Sequence, residues 1–218
     1  MIKGYIFDLD GVIVDTANYH YNAWRKLANT LGFDITEEQN ENLKGVSRTE
    51  SLEYILALGK LHFTDSEKAE MAVLKNSWYV DSISNMNESE LLPGSAELIK
   101  EIKASGLKVS LGSASKNALR ILEATGLIKY FDVIIDGTKT TKSKPHPQVF
   151  LMGAEALQLN PEECIVFEDS INGIKAANTG GFVSVGVGDK DILNESDFVI
   201  PSLEGITVES LNKFVSQL

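Results

Sequence analysis

The sequence predicts an α/β protein with a doubly wound parallel sheet, and three observations support this prediction. Short runs that are apolar at every position recur along the chain, which is typical of strands buried on both faces. Amphipathic stretches with capping residues alternate with these runs, which is typical of a Rossmann-like core. Only helical patterns occur between the first run and the second, which indicates an inserted all-helical cap domain.

Six apolar runs are predicted to be strands. They span residues 5–9, 107–111, 133–135, 165–167, 183–187 and 198–200. In a doubly wound sheet, ligands bind at the carboxyl ends of the strands, where the strand order changes direction. The residues that follow each run are therefore the first candidates for a functional site.

Helix signals separate the later strands. Ser95 and Ser115 each precede apolar residues at helical spacing, and Gly106 and Gly126 follow those residues. Small hydroxyl residues favour helix N-termini and glycine favours the position after a helix, so each pair is expected to bound one helix.

Residues 16–86 contain no predicted strand. One apolar helical face precedes Gly32 and consists of Ala23, Trp24, Leu27, Ala28 and Leu31. Two capping boxes, Ser47 with Glu50 and Thr64 with Glu67, begin further helices. We predict that residues 16–86 form a helical cap domain that closes over a catalytic core of residues 1–15 and 87–218.

The charge balance limits the possible partners. The chain has 20 Lys and Arg residues against 31 Asp and Glu residues, a net charge of −11. This charge repels nucleic acid and anionic membranes, so we expect neither as a partner. An anionic substrate would need a local group of cations. No signal peptide or membrane-spanning run is recognised, so we expect a cytoplasmic protein.

Two carboxylates, Asp8 and Asp10, end the first predicted strand. Residues two apart in a strand point to the same face, and Gly11 allows a sharp exit. With Mg²⁺ bound there, Asp8 could act as a nucleophile and Asp10 as general acid and base. An isolated pair of this kind is about as often a polar strand end that caps a helix. An EF-hand does not fit, because the twelfth position from Asp8 is Tyr19 and not glutamate.

Three further elements follow later strands and could converge on the same point. Ser113 follows the second strand and could bind phosphate oxygens together with free backbone N–H groups. Lys144, between two prolines after the third strand, could neutralise both a phosphate and the Asp8 carboxylate. Glu168 and Asp169 end the fourth strand and suit a magnesium ion. Each element alone has an ordinary structural explanation, but their convergence favours a site for phosphoryl transfer.

The order of these elements resembles the four motifs of the haloacid dehalogenase superfamily, and within it the sequence is most similar to the β-phosphoglucomutases. The resemblance covers essentially the whole chain. Outside the four motifs, the residues that match those mutases include Thr16, His20, Trp24, Lys44, Gly45, Val46, Ser47, Arg48, Ser115, Lys116 and Asn117.

The resemblance implies that β-glucose 1-phosphate and glucose 6-phosphate interconvert. It also implies a β-glucose 1,6-bisphosphate intermediate that activates the enzyme, an aspartyl phosphate, and Mg²⁺ as cofactor. The implied catalytic residues are Asp8, Asp10, Thr16, His20, Ser113 and Lys144. The implied substrate-binding residues are Trp24, Lys44, Gly45, Val46, Arg48, Ser51, Lys75, Ala114, Ser115, Lys116 and Asn117. The implied metal ligands are Asp8, Asp10, Glu168 and Asp169, with Glu168 in contact with the metal or one step behind it.

A bisphosphate needs two anion sites. The first would lie at Asp8, and the second would combine Arg48 from the cap with residues 115–117 from the core. His20 would orient Asp10 when the cap closes, which would couple acid–base chemistry to substrate binding. These sites would supply the cations that the net charge demands.

Two other functions remain open from the sequence. Phosphatases of the same superfamily keep the Asp8 and Asp10 arrangement, so a hexose-phosphate phosphatase is the principal alternative. A regulator that binds a phosphometabolite without catalysis is an alternative from another class, although it would have no use for Asp10. We expect a monomer that acts on a small sugar phosphate. The preferred hexose, disaccharide or anomer and the pathway cannot be read from the sequence.

Overall fold

Residues 1–218 are described by a computed structural model. Six strands form one sheet in which every neighbouring pair is parallel, in the order β3-β2-β1-β4-β5-β6. The strands are β1 Gly4–Phe7, β2 Lys108–Gly112, β3 Val133–Ile135, β4 Cys164–Glu168, β5 Val183–Val187 and β6 Phe198–Ile200. All six predicted strands are confirmed. The strand order changes direction between β1 and β4, so the crevice expected to bind ligands lies at their carboxyl ends.

The first strand is shorter than predicted. It ends at Phe7, and Asp10 forms only an isolated bridge with Val14. Asp8 and Asp10 therefore do not share a strand face, and the alternation argument that paired them is wrong. Asp8 N–H still donates to the Phe167 carbonyl at 3.0 Å, which extends the contact between β1 and β4 by one residue.

Helices cover both faces of the sheet, as a doubly wound core requires. The core helices are α5 Ser95–Ala104, α6 Ala118–Ala124, α7 Gln148–Leu157, α8 Ile171–Gly180 and α9 Val208–Val215. Apolar residues of α5, α6 and α9 pack with Tyr5 and Phe7 of β1 on one face. Those of α7 and α8 pack with Ile6 on the other face. Helix α6 begins after Asn117 and not at Ser115, so the residues predicted to enter a helix form a loop instead.

Four α-helices lie between β1 and α5. They are α1 Ala17–Thr30, α2 Glu37–Glu41, α3 Arg48–Leu58 and α4 Asp65–Ser82. Both predicted capping boxes are present, at Ser47 and at Thr64. Helix α2 was not predicted, and it has a capping box of its own at Thr36. None of the helices in the chain has the length and apolar character needed to cross a membrane.

These four helices enclose an apolar cluster of their own. Its buried members are Trp24, Leu27, Ala28, Ile35, Leu43, Leu52, Ile55 and Leu56. The segments that join this region to the core lie side by side: Val14 and Leu91 form an antiparallel bridge, and Leu92 N–H donates to the Ile13 carbonyl at 2.9 Å. The separate cluster supports the cap domain of residues 16–86, whose bounds stay a prediction.

Candidate active site

A buried ion triad lies where β1 and β4 end. Lys144, from the loop between β3 and α7, donates from Nζ to Asp8 Oδ1 at 2.6 Å and also to Glu168 Oε1. The Lys144 side chain is completely buried, and Asp8 is 5% exposed. Burial alone would lower the pKa of Lys144. The carboxylates of Asp8 and Glu168 raise it by a larger amount, so the pKa lies above its ordinary value. The lysine therefore remains a permanent cation behind Asp8.

Glu168 is engaged through both of its oxygens. Its Oε1 accepts from Lys144, and its Oε2 accepts from the backbone N–H of Ser170 at 3.1 Å and from the Ser170 hydroxyl at 2.9 Å. The space beside it is filled, because a Cβ on Gly173 would lie 1.8 Å from Glu168 Cδ. Glu168 is thus fixed in position and acts through Lys144.

The site carries more negative charge than its lysine can balance. Burial raises the pKa of Asp8 well above its ordinary value, although Lys144 opposes the shift. Burial and the charge of Glu168 raise the pKa of Asp169 to about 7. A carboxylate nucleophile must be ionised, so the arrangement requires a further cation.

The residues present fit a divalent cation such as Mg²⁺. Carboxylate oxygens of Asp8, Glu168 and Asp169 lie within 4.8 Å of one another. Opposite ligands of Mg²⁺ lie roughly 4.2 Å apart, and Mg²⁺ prefers such oxygen ligands. Because Glu168 is already engaged twice, Asp8 and Asp169 are the oxygens that face the cleft.

Asp10 lies in a different environment from Asp8. The hydroxyl of Thr16, at the start of α1, donates to Asp10 Oδ1. His20, one turn further along α1, has its Nε2 4.0 Å from the same oxygen. Burial raises the pKa of Asp10, against the opposing effect of the Thr16 hydrogen bond. A carboxyl group that retains its proton more readily is suited to protonate a leaving oxygen.

A second lysine is buried beside His20. Lys75, on α4, is 2% exposed and its Nζ lies 3.0 Å from His20 Nδ1. Its Nζ also lies 4.4 Å from the centre of the Trp24 ring, and the Tyr79 ring packs against His20 with centroids 4.2 Å apart. Burial and the charge of Arg48 lower the pKa of Lys75 to about 7.

A cleft lies between the cap helices and the ends of the strands. Most of the predicted site residues line it: Asp8, Asp10, Thr16, His20, Trp24, Lys44, Gly45, Val46, Arg48, Ser51, Lys75, Ala114, Ser115, Lys116, Asn117 and Asp169. The three that do not are Ser113, Lys144 and Glu168, which are buried behind the lining.

Ser113 is one of these three residues buried behind the lining of the cleft. Its side chain is fully buried, and its Oγ accepts from the backbone N–H of Ser115 at 3.0 Å. The hydroxyl therefore shapes the loop after β2 that presents residues 114–117 to the cleft. Its role in phosphate binding stays a prediction.

The cap contacts the core on both sides of the cleft. Lys44 of the cap lies with its Nζ 3.4 Å from Asp169 Oδ2 and 2.9 Å from Glu41 Oε2. Asn117 of the core donates from Nδ2 to Asn76 Oδ1 of the cap at 3.0 Å. The cleft is thus bounded by residues from both parts of the chain.

Six residues that line the cleft are outside the predicted site: Gly11, Asp15, Ala17, Asn40, Leu43 and Asn76. Gly11 lies beside Asp169. Gly11 has a φ of 84°, and a Cβ there would lie 2.1 Å from Asp169 Oδ2. The D-x-D-G motif signalled a turn at this glycine but not the close approach. Asn40 carried no signal, because it lies in a five-residue polar helix without apolar periodicity.

Comparison with known proteins agrees with this geometry. Residues 2–181 match the family described as haloacid dehalogenase-like hydrolase. The β-phosphoglucomutase of Bacillus subtilis is 39% identical over 214 residues, which cover 97% of this chain and 95% of that protein. A phosphorylated carbohydrates phosphatase of Thermotoga maritima is 33% identical over 186 residues, which cover 83% and 82% respectively.

Among solved structures, the β-phosphoglucomutase of Clostridium difficile superposes with a TM-score of 0.97. It is 44% identical to this chain, and the match covers 100% of this chain and 98% of that one. The resemblance predicted from the motifs is therefore confirmed, as is the prediction that the protein is an enzyme of the phosphotransferase type. The chain belongs to the haloacid dehalogenase-like hydrolase family.

Proposed function

We propose that this enzyme interconverts β-glucose 1-phosphate and glucose 6-phosphate through a β-glucose 1,6-bisphosphate intermediate. One observation carries the proposal: a single cleft joins the Asp8 centre to a second set of groups that are suited to bind a phosphate, Arg48 and residues 115–117. A phosphatase for a monophosphate needs only the first centre. A bisphosphate that turns round in the cleft needs both.

In the first half-reaction, an Asp8 oxygen attacks the phosphorus of the bisphosphate and the bond from phosphorus to the sugar oxygen breaks. Asp10 gives its proton to that oxygen, which leaves as the sugar hydroxyl. Lys144, paired with Asp8, offsets part of the charge on the phosphoryl group. A magnesium ion held by Asp8 and Asp169, with Asp10 or Glu168 contributing, would supply the remaining charge neutralisation.

In the second half-reaction, the free C6 hydroxyl of an incoming β-glucose 1-phosphate attacks the phosphoryl group on Asp8 and regenerates the bisphosphate. Its proton passes to Asp10, and the phosphorus–Asp8 bond breaks. Thr16 and His20 hold Asp10 in reach of both oxygens in turn. Arg48, with Ser115, Lys116 and Asn117, would bind the phosphate that does not react.

The contacts between cap and core support transfer to a sugar over transfer to water. Closing a cleft around the aspartyl phosphate excludes water until an acceptor is bound. The Lys44–Asp169 and Asn117–Asn76 contacts join the two parts on opposite sides of the reaction centre. They support the expectation that residues 16–86 act as a closing cap.

Hydrolysis of a hexose phosphate is the second candidate, because the Thermotoga phosphatase is 33% identical to this chain. The deciding experiment adds β-glucose 1-phosphate, Mg²⁺ and a trace of the bisphosphate, then follows glucose 6-phosphate and free phosphate. Formation of glucose 6-phosphate supports the mutase, and release of phosphate alone supports the phosphatase. If Asp8→Asn left the protein's function unchanged, the hypothesis of an enzyme would be rejected in favour of a non-catalytic binder.

A further inference from the structure

The carboxamide of Asn40 is a buried polar group without a partner. Asn40 is 7% exposed, and its Oδ1 has no accessible surface and accepts no hydrogen bond within the protein. Its backbone is satisfied, because its N–H donates to the Thr36 carbonyl at 3.1 Å and its carbonyl accepts from Leu43 N–H at 2.9 Å. Only the side chain is unpaired. An unpaired buried oxygen of this kind destabilises the folded protein.

Position distinguishes Asn40 from the other unpaired groups. Two further buried side-chain oxygens lack partners, the hydroxyls of Tyr5 and Tyr79. Neither tyrosine lines the cleft, whereas Asn40 does. Asn40 is therefore the one such residue that borders the cleft, and its carboxamide must turn for the enclosed oxygen to meet a molecule there.

The chemistry of the carboxamide indicates its ligand. Phosphates in this cleft have four cations available, Lys44, Arg48, Lys75 and Lys116. Asn40 is neutral and carries one donor group and one acceptor on the same planar end, and a half-turn exchanges them with almost no change of shape. A sugar hydroxyl, which both donates and accepts, is the matching partner. A phosphate oxygen, which only accepts, would leave the Asn40 oxygen unpaired.

We propose that Asn40 is a further substrate-binding residue, whose carboxamide pairs with one hydroxyl of the sugar ring and contributes to the choice of sugar. This inference rests on the proposed function, because it requires a sugar phosphate in the cleft. In the free protein the unpaired oxygen then destabilises the folded state, and binding of the substrate removes this destabilisation. A site built to pair with a hydroxyl discriminates strongly against an analogue that lacks it.

The test combines Asn40→Leu with single deoxy analogues of the substrate. Leucine is close to asparagine in shape and cannot hydrogen-bond. For the full substrate, we expect kcat/KM to fall about 10- to 100-fold, the size of a lost buried hydrogen bond. For the analogue that lacks the partner hydroxyl, wild type and variant should have the same kcat/KM. For the other deoxy analogues, the variant should keep its full defect.

Two controls separate binding from structure. Turnover of acetyl phosphate, which phosphorylates Asp8 without a sugar, should be unchanged in Asn40→Leu. Its melting temperature should be no lower than that of wild type, because the unpaired oxygen is removed. Asn42→Leu, the same change at an exposed residue beside α2, should leave the deoxy series unchanged. Asn40→Ala, a good helix former that needs no repacking, repeats the test if the leucine variant does not fold.

Several results would overturn the inference. A marked fall in melting temperature would mean that the carboxamide has a partner within the protein. Equal defects for all the deoxy analogues, or no defect at all, would mean that it binds water or nothing. Failure of the proposed function is distinguishable, because it would appear in wild type as acetyl phosphate turnover without conversion of glucose phosphate.

Discussion

The Nζ of Lys75 lies 3.0 Å from Nδ1 of His20, and both residues line the cleft beside the Asp10 centre. When Lys75 is protonated it can only donate, so in that state His20 Nδ1 is the acceptor and the proton of the neutral ring is on Nε2. That nitrogen is the one 4.0 Å from Asp10. Burial, with the charges of Lys75 and Arg48, lowers the pKa of His20 well below its ordinary value, so the ring is neutral near pH 7.

Replacement of Lys75 by methionine should stabilise the protein most at low pH. The pKa of Lys75 is about 7 in the folded state and near its ordinary value of 10.5 in the unfolded state. Between these values the unfolded chain binds one more proton, so the free energy of unfolding of wild type rises with pH. Lys75→Met lacks this rise, and its advantage should shrink from pH 6 to pH 9.

Urea unfolding in the presence of a metal chelator at pH 6, 7.5 and 9 measures this difference. Lys68→Met, on the exposed side of the same helix, is the matched control. The ion pair with Glu53 raises the pKa of Lys68, so that lysine stays charged throughout and should add no slope. Identical slopes for wild type and Lys75→Met would contradict the depressed pKa.

Replacement of Arg48 by alanine should separate the two anion sites. Conversion of β-glucose 1-phosphate needs both sites, so we expect it to fall at least about 100-fold, as for the loss of a charge-assisted bidentate contact of roughly 3 kcal/mol. Hydrolysis of a small aryl phosphate needs only Asp8 and should change little. Arg120→Ala, at an exposed arginine of α6, controls for the loss of a positive charge. Equal losses of both activities would argue against a distal phosphate site.

Replacement of Gly11 by alanine should weaken metal binding. The new Cβ would lie 2.1 Å from Asp169 Oδ2, so the carboxylate must move. Changes next to a metal ligand typically reduce affinity about 10- to 100-fold. Mg²⁺ titration followed by calorimetry measures the effect.

A matched glycine separates this displacement from backbone strain. Gly205 has a φ of 73°, close to the 84° of Gly11, and a Cβ there would meet nothing within 4 Å. Both alanine variants should lose stability by about 1–2 kcal/mol from the left-handed backbone. Only Gly11→Ala should lose Mg²⁺ affinity. The same affinity loss in Gly205→Ala would mean that strain, and not the moved Asp169, is the cause.

Replacement of Asp10 by asparagine should remove transfer between sugar and Asp8 while Mg²⁺ binding largely survives. Loss of a general acid and base lowers the rate about 10²- to 10⁴-fold. The metal keeps Asp8 and Asp169, and the backbone carbonyl of residue 10 is unchanged. Asp15→Asn, at another carboxylate on the cleft, reports the effect of charge alone. Loss of Mg²⁺ binding in Asp10→Asn would refute this division of roles.

The sequence predicted the sheet well, because six runs of buried residues leave little ambiguity. It did not predict α2, whose residues 37–41 are all polar and provide no apolar periodicity. It paired Asp8 and Asp10 by strand alternation, although the strand ends at Phe7 and the chain turns through Gly11. Asp8 and Asp10 nevertheless both line the cleft, as the sequence motifs and the family resemblance predicted.

The buried contacts of the site were harder to predict. Lys144 and Glu168 are 24 residues apart, and their contact depends on how the loop after β3 meets the end of β4. Lys75 lies on α4, where a lysine is ordinarily solvated, and only the packed cap buries it. Long-range packing of this kind leaves no periodic trace in a single sequence.

The bridge between Val14 and Leu91 has a consequence for how such enzymes diversify. The chain leaves the core at Val14 and returns to it at Leu91, and these two residues are neighbours in space. Residues 15–90 are therefore inserted at a single point of the core. A segment of different length or sequence could be grafted there without changing the register of β1 and β4. The residues proposed to select the acceptor could in this sense be exchanged as a module, while the strand ends that hold Asp8 and Asp169 keep their positions.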